Sequence, residues 1–300
     1  MTETAPSCGF IALLGAPNAG KSTLLNCLIG SKISIVTQKV QTTRTRIRGI
    51  CMEGNAQLVF IDTPGIFAPK RRLDRAMVSA AWDGAKDADV VALLVDAQRG
   101  IDANTRRIMD GLEESKRKAV LVVNKVDLVE KQDLLDLTQK LNQSELFTDV
   151  FMVSALSGDG VDDLRAFFAA QAPVGPWMYP EDQLSDVSER LLAAEITREK
   201  LFLRVHQELP YAATVETERW EQKRDGSVRI EQIIYVERDS QKGIVLGKGG
   251  KAVKEIGTAA REELQEILDC KVHLFLQVKV RKNWSNERSH YREMGLDFIE

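Results

Sequence analysis

The chain has 300 residues, 44% of them apolar and 28% charged, with 41 Lys and Arg against 44 Asp and Glu. This is an ordinary globular composition, long enough for about two domains. Cys8, Cys27, Cys51 and Cys270 form no C-x-x-C pair, and His206, His273 and His290 are dispersed, which argues against a disulfide framework, a structural zinc site or a metal cluster. Met1–Ser7 lacks the basic stretch of a signal peptide, and the apolar runs fall far short of the roughly 20 residues of a membrane span, so a cytosolic protein is expected.

The first predicted element is an apolar strand, Phe10–Leu14, followed by Gly15-Ala16-Pro17-Asn18-Ala19-Gly20-Lys21-Ser22 and a helical pattern to Ile29 that Gly30 closes. That run is the complete phosphate-binding loop G-x-x-x-x-G-K-[ST] in its strand–loop–helix setting. Its glycines let successive N–H groups converge on phosphate oxygens at a helix N-terminus. Lys21 is expected on the β- and γ-phosphates, Ser22 on Mg²⁺, and Thr23 within the same binding set.

Next comes a polar stretch, Val36–Arg48, with Gln41-Thr42-Thr43-Arg44 at its centre. A triphosphatase needs a threonine in such a segment to complete the Mg²⁺ shell and sense the γ-phosphate. Thr42 and Thr43 both qualify, with Thr43 slightly preferred; an ordinary polar strand is the alternative. A second strand, Leu58–Ile61, runs into Asp62-Thr63-Pro64-Gly65. Asp62 would hold Mg²⁺ through water and Gly65 would offer its N–H to the γ-phosphate. The next residue is Ile66, followed by Phe67, where many GTPases place a glutamine directly after D-x-x-G to orient the attacking water. Hydrolysis must then use another group, so a slow intrinsic rate raised by a partner is expected. Lys21, Thr43, Asp62 and Gly65 form the candidate catalytic set, and Ser22, Thr43 and Asp62 the metal set.

Strand Val90–Val95 follows, and then Ala119–Val123, which ends in Asn124-Lys125-Val126-Asp127. The Asp127 carboxylate only accepts, matching the paired N1–H and N2–H₂ donors of guanine; adenine would leave it unpaired. Val150–Val153 delivers Ser154-Ala155-Leu156, where a backbone N–H can meet guanine O6. Near-continuous apolar strands separated by amphipathic helices mean a mostly parallel sheet covered on both faces, with ligand loops at the strands' carboxyl ends. The nucleotide implied is GTP or its product GDP.

Pro173, Gly175, Pro176 and Pro180 then interrupt the alternation. We expect a nucleotide-binding domain over 1–172, a linker over 173–186 and a smaller α+β domain over 187–300. Asp186 with Glu189 suggests a capping box before a helix, Leu191–Leu209, that ends at Pro210. Tyr211–Trp220 and Val228–Glu237 read as strands joined across Lys223-Arg224-Asp225-Gly226. After Ile244-Val245-Leu246 comes Gly247-Lys248-Gly249-Gly250, then helix Ala252–Leu268 and an alternating strand, Lys271–Val280. Helix–G-x-x-G–helix is the unit with which a KH module clamps about four nucleotides of single-stranded RNA. Gln241–Lys254 carries Lys242, Lys248, Lys251 and Lys254 and no acid, a focused basic patch on an acidic body. Gly247, Lys248, Gly249, Gly250, Lys251 and Lys254 are the candidate RNA-binding residues. A second cluster, Lys279-Val280-Arg281-Lys282 beside Trp284, reads equally as a domain edge.

G-A-P-N-A-G-K-S, Q-T-T-R, D-T-P-G, N-K-V-D and S-A-L, followed by G-K-G-G and V-K-E-I-G, together resemble the bacterial Era GTPases over nearly the whole chain. The resemblance implies a P-loop GTPase domain followed by a KH domain of the second topological type. It also implies a monomer that binds the 3′ end of small-subunit (16S) ribosomal RNA and assists maturation of the small (30S) subunit. A cytoplasmic location with peripheral contact at the inner membrane face is implied by the resemblance alone. Related GTPases with asparagine at the Asn18 position can use K⁺ as a stand-in for an arginine finger, an option that Asn18 leaves open for this chain. The alternative is an RNA-modification or membrane-associated GTPase whose C-terminal domain binds protein or lipid, with G-x-x-G a mere helix cap.

Overall fold

The computed structural model describes residues 5–37, 39, 42–205 and 209–299. Gln41, within the polar threonine segment, and His206, near the expected end of a helix, lie outside them. Contacts divide the chain into two compact units: 1–34 with 43–186 and 294–300, and 35–42 with 187–293.

The first unit is a six-stranded sheet in the order β2-β3-β1-β4-β5-β6. Its parallel strands are β1 (Ser7–Gly15), β3 (Ala56–Asp62), β4 (Val90–Asp96), β5 (Ala119–Asn124) and β6 (Phe147–Val153). Every residue of β3 and β5 is buried, because helices cover both faces. Those helices are α1 (Lys21–Ile29), α2 (Arg72–Asp87), α3 (Ala103–Glu114), α4 (Lys131–Asn142) and α5 (Val161–Gln171). Pairing aligns Leu13 with Asp62, Gly15 with Leu94, Asp96 with Asn124, and Asn124 with Val153. That register brings the carboxyl ends of the strands to one edge of the sheet.

Strand β2 (Ile47–Glu53) was not an expected element; it pairs antiparallel with β3 and forms the sheet edge. Its polar residues hide its period, and tertiary pairing supplies the order that the pattern lacks. Residues 173–186, read from their prolines as a linker, instead bind along the first unit. Cys8 N–H donates to Pro173 O at 3.0 Å, Ile50 N–H to Leu184 O at 2.9 Å, and the Gln57 carboxamide engages Met178 and Tyr179.

The second unit holds α6 (Glu189–Arg204), β7 (Ala213–Gln222), β8 (Val228–Val236), α7 (Asp239–Leu246), α8 (Lys251–Leu268), β9 (Val272–Val280) and α9 (Arg288–Glu293). β7 and β8 form an antiparallel hairpin, and β9 joins β8 in parallel. The turn forms where expected, with Gly226 N–H donating to Lys223 O at 3.1 Å. The hairpin precedes the G-x-x-G loop, as the second KH topology requires. Residues Leu209–Ala212 form a short 3₁₀ turn, which delays the start of β7. The Lys279–Lys282 cluster borders a packed edge: Trp284 is buried with its indole N–H on Ala212 O, and Arg281 pairs with Glu287.

The expected capping box at Asp186 is corrected. Ser188 is the N-cap of α6, its hydroxyl accepting from Leu191 N–H, whereas Asp186 takes the N–H and guanidinium of Arg48 at 3.1 and 3.0 Å. Replacing Ser188 with Ala should therefore cost about 1 kcal/mol in urea unfolding, while Asp186→Ala should leave the helix at full strength by hydrogen exchange. Equal loss of protection in α6 for both variants would refute this assignment of the cap.

Candidate nucleotide and RNA sites

The phosphate-binding loop leaves β1 at Gly15 and enters α1 at Lys21. Lys21 is 6% exposed, and its ammonium donates to Gly15 O at 3.1 Å and Ala16 O at 3.3 Å. Burial lowers its pKa to about 8, opposed by the nearby Asp62 carboxylate. Gly20 sits at φ +97°, and a Cβ there would lie 2.2 Å from Asn124 Nδ2. Glycine is thus required both for conformation and for close approach.

Three hydroxyls converge on Asp62 at the end of β3. Its Oδ2 accepts from Ser22 at 2.8 Å, Ser34 at 3.0 Å and Thr43 at 3.3 Å, while Ser22 and Thr43 Oγ atoms lie 2.9 Å apart. Asp62 Oδ1 is buried without a hydrogen-bond partner. Burial raises the Asp62 pKa, against the pull of Lys21 and of the Ser22, Ser34 and Thr43 hydroxyls. Two hydroxyls, of Ser22 and Thr43, and a single carboxylate with one orphaned oxygen suit a hard cation with oxygen ligands, so the residues present fit Mg²⁺. Thr42 does not join them: its hydroxyl bonds Thr37 Oγ1 at 2.6 Å and Lys39 O at 2.7 Å. Ser34 is a participant that the sequence reading missed, since nothing in its local pattern distinguishes it from a turn serine.

Thr63 donates its hydroxyl to Leu13 O at 2.7 Å and Ile66 its N–H to Gly15 O at 3.1 Å, which ties the D-T-P-G turn to the phosphate loop. The Ile66 side chain is 0% exposed and lies in the core with Ala12, Leu14 and Val91. Its apolar side chain could not hydrogen-bond an attacking water in any case, and its burial in the core was not part of the sequence reading.

The base end is built around Asn124. Its Nδ2 donates to Ala19 O at 2.9 Å, and its Oδ1 accepts from Lys125 N–H at 2.8 Å and Ala155 N–H at 3.0 Å. Lys125 reaches Asn18 O at 2.8 Å and forms an ion pair with Asp96 at 2.6 Å. Asp96 was not anticipated, although its position at the end of a buried strand was a usable signal. Asp127 is exposed, flanked in sequence by Val126 and by Leu128, which is 53% exposed; Leu156 is 84% exposed. Exposed leucines beside an exposed acceptor suit a flat base with edge donors. Ser154 N–H is taken by Asp159 O at 3.0 Å and Ala155 N–H by Asn124. Among the described residues, the Leu156 N–H is the donor of this loop that no protein acceptor takes.

In the second unit, α7 ends at Gly247 and α8 begins at Lys251. Gly249 and Gly250 have φ of +62° and +77°, with open space where a Cβ would lie. Lys248, Lys251 and Lys254 are exposed around that turn, and Lys242 is half-buried. Ile244, read as part of an apolar run, is 59% exposed one turn before the loop, while Val245 beside it is fully buried. An exposed aliphatic side chain next to a basic glycine loop suits an unstacked base and its phosphate. Helical spacing was the signal that separated these two residues.

Residues 10–125 match the 50S ribosome-binding GTPase family model, and residues 208–285 match the KH domain model. The chain is 62% identical over 290 residues to GTPase Era of Brucella suis, covering 97% of this chain and 93% of that protein. It is 60% identical over 303 residues to GTPase Era of Dinoroseobacter shibae, covering 99% and 98%. Its fold is similar, with a TM-score of 0.91 and 35% identity, to a crystal structure of Era with MgGDPNP and nucleotides 1506–1542 of 16S ribosomal RNA, over 97% of this chain and 99% of that one. Era from Aquifex aeolicus bound to GDP·AlF4⁻ gives the same TM-score and identity, over 96% and 99%.

Gly20→Ala should destabilise the first unit by about 2 kcal/mol or more, from the left-handed backbone and the displaced Asn124 carboxamide. It should also weaken guanine-nucleotide binding. Urea unfolding and a fluorescent-GDP titration check both, and a variant of unchanged stability would contradict the contact described.

Proposed function

The chain belongs to the Era family of GTPases, and on that premise we propose that it is a GTP-driven switch on small-subunit ribosomal RNA. It binds the 3′ end of 16S rRNA through its KH domain and acts in assembly of the 30S particle. The convergence of Ser22 and Thr43 on Asp62, with Asp62 Oδ1 unpartnered, is the observation that carries the reading.

In this reading Ser22, Thr43 and, through water, Asp62 would hold Mg²⁺, which when bound would supply charge neutralisation at the phosphates. Lys21 exchanges its loop carbonyls for phosphate oxygens, and the N–H groups of residues 16–22 cradle the phosphates. The Gly65 N–H meets the γ-phosphate. Asp127 pairs with the two guanine donors and Leu156 covers the base, while a backbone N–H of the Ser154–Leu156 loop meets O6. Asn124 and Lys125 bind little themselves; they fix the loops that do. With Ile66 in the core, no side chain at that position orients water, which supports a slow intrinsic rate that the assembling particle raises.

For RNA, the Gly247–Gly250 turn allows close approach of the sugar–phosphate backbone, and Lys248, Lys251 and Lys254 supply charge. Among the described residues, no helix is long and apolar enough to cross a membrane. We place the protein in the cytoplasm; peripheral contact with the inner membrane face rests on family resemblance.

Three outcomes are expected. Crosslinking in cell extract should enrich the 16S 3′ end with the protein loaded with a non-hydrolysable GTP analogue; no enrichment with either the analogue or GDP would reject the RNA half of the reading. Gly249→Asp with Gly250→Asp should abolish that retention and leave GTP affinity intact, since both positions are open to solvent and far in sequence from the nucleotide loops.

The third outcome concerns pH. Phosphate oxygens favour the charged Lys21, so binding raises its pKa above the free value of about 8. Affinity for GTP is then full below about 8 and falls as pH rises through that value, by at most about tenfold per unit. Calorimetry at pH 8.5 in two buffers of different ionisation enthalpy should show proton uptake on binding; zero uptake would remove Lys21 from this role.

A further inference from the structure

Helix α6 carries Arg198 and Glu199 at its middle, 1% and 2% exposed. Neighbouring helical residues diverge by about 100°, and these two reach opposite ends of one short segment. Glu199 Oε1 accepts the N–H of Val36 at 2.8 Å, and the Arg198 guanidinium donates to the carbonyl of Thr42. Inside the segment the Thr37 and Thr42 hydroxyls bond each other at 2.6 Å, and the Lys39 ammonium reaches the carbonyl of Val205, the residue that caps the C-terminal end of α6. Ile35 packs with Ala193 and Ile196. Both clamp charges are themselves balanced: Arg198 Nε bonds Glu195 at 2.8 Å, and Glu199 pairs with Lys200 at 2.9 Å, which also pairs with Glu263. Buried, paired charges of this kind hold their geometry, because leaving one unpaired is costly.

The Thr42 carbonyl belongs to the same planar peptide as the Thr43 N–H, so holding the oxygen fixes the direction of that N–H. In this arrangement Thr43 Oγ1 stands beside Ser22 and Asp62. The closed clamp thus accompanies a threonine already placed in the metal site.

We propose that Arg198 and Glu199 are positioning residues for the GTPase reaction: from helix α6 they hold Val36 and Thr42 so that Thr43, the next residue, meets Mg²⁺ and the γ-phosphate. The proposal rests on the GTPase reading above. It makes recognition of the third phosphate, rather than of guanine or of GDP, depend on two side chains more than 150 positions away in sequence.

The test is a titration of the full chain with fluorescent GDPNP and fluorescent GDP over a Mg²⁺ series, for Arg198→Ala, Glu199→Ala and Glu199→Gln. Glutamine keeps an oxygen to accept the Val36 N–H. Both alanine variants should bind GDPNP about tenfold more weakly and need more Mg²⁺, with GDP affinity unchanged, while Glu199→Gln stays near the parent. An unchanged ratio of GDPNP to GDP affinity in the alanine variants would overturn the proposal. Equal loss of both nucleotides would overturn it too, by assigning these residues a purely structural role. Should Arg198→Ala fail to fold, the Glu199 pair decides alone. Failure of the parent protein to bind either nucleotide would instead sink the GTPase reading itself.

Discussion

One buried carboxamide organises the nucleotide site. Asn124 is 1% exposed, and its two polar atoms join Ala19 of the phosphate loop, Lys125 of its own loop and Ala155 of the loop after β6. Those loops leave β1, β5 and β6, so a shift at any one leaves a buried donor or acceptor unsatisfied, which costs about 1–3 kcal/mol. The phosphate end and the base end of the site therefore share a single spacing. Lys125 repeats the device on the outside, bridging Asn18 O and the Asp96 carboxylate.

Charge is arranged with the same economy of groups. Lys21 and Asp62 are both buried, and each has its ionised form disfavoured by burial and favoured by the other. A cationic phosphate contact and an anionic metal contact thus each favour the other's charged form against burial, and together they match a ligand with both characters, a metal-bound polyphosphate. In the second unit the balance is different. Lys248, Lys251 and Lys254 project into solvent from a stretch, Gln241–Lys254, that holds no acid, and the Glu255 that follows is paired with Arg204, so the positive field of this loop is what a phosphate backbone senses first.

Much of this was legible in the sequence, for a physical reason. Buried parallel strands are apolar on both faces, so β1, β3, β4, β5 and β6 announce themselves, and ligand loops must follow their ends. The KH order was readable because Asp225-Gly226 marks its turn and Gly247–Gly250 its loop. What was missed depends on partners remote in sequence. β2 owes its order to β3; residues 173–186 look like a spacer because their prolines exclude helix, yet their carbonyls find donors on β1 and β2. Asp186 looked like a cap because Glu189 lies three residues on, but Arg48 claims it and Ser188 caps instead. The choice between Thr42 and Thr43 could not come from composition either, since it depends on which hydroxyl a folded segment turns toward Asp62.

The chain passes from one compact unit to the other after residues 34, 42, 186 and 293. The units are therefore stitched rather than threaded like beads. A single protease cut within 173–186 would not set the RNA-binding unit free, because residues 35–42 would still belong to it and 294–300 to the other. Conversely, a fragment that starts at Val187 would lack Ile35 from its apolar cluster and leave Arg198 and Glu199 without two of their backbone partners. The boundary at which this protein is divisible in sequence is thus not the boundary at which it is divisible in space.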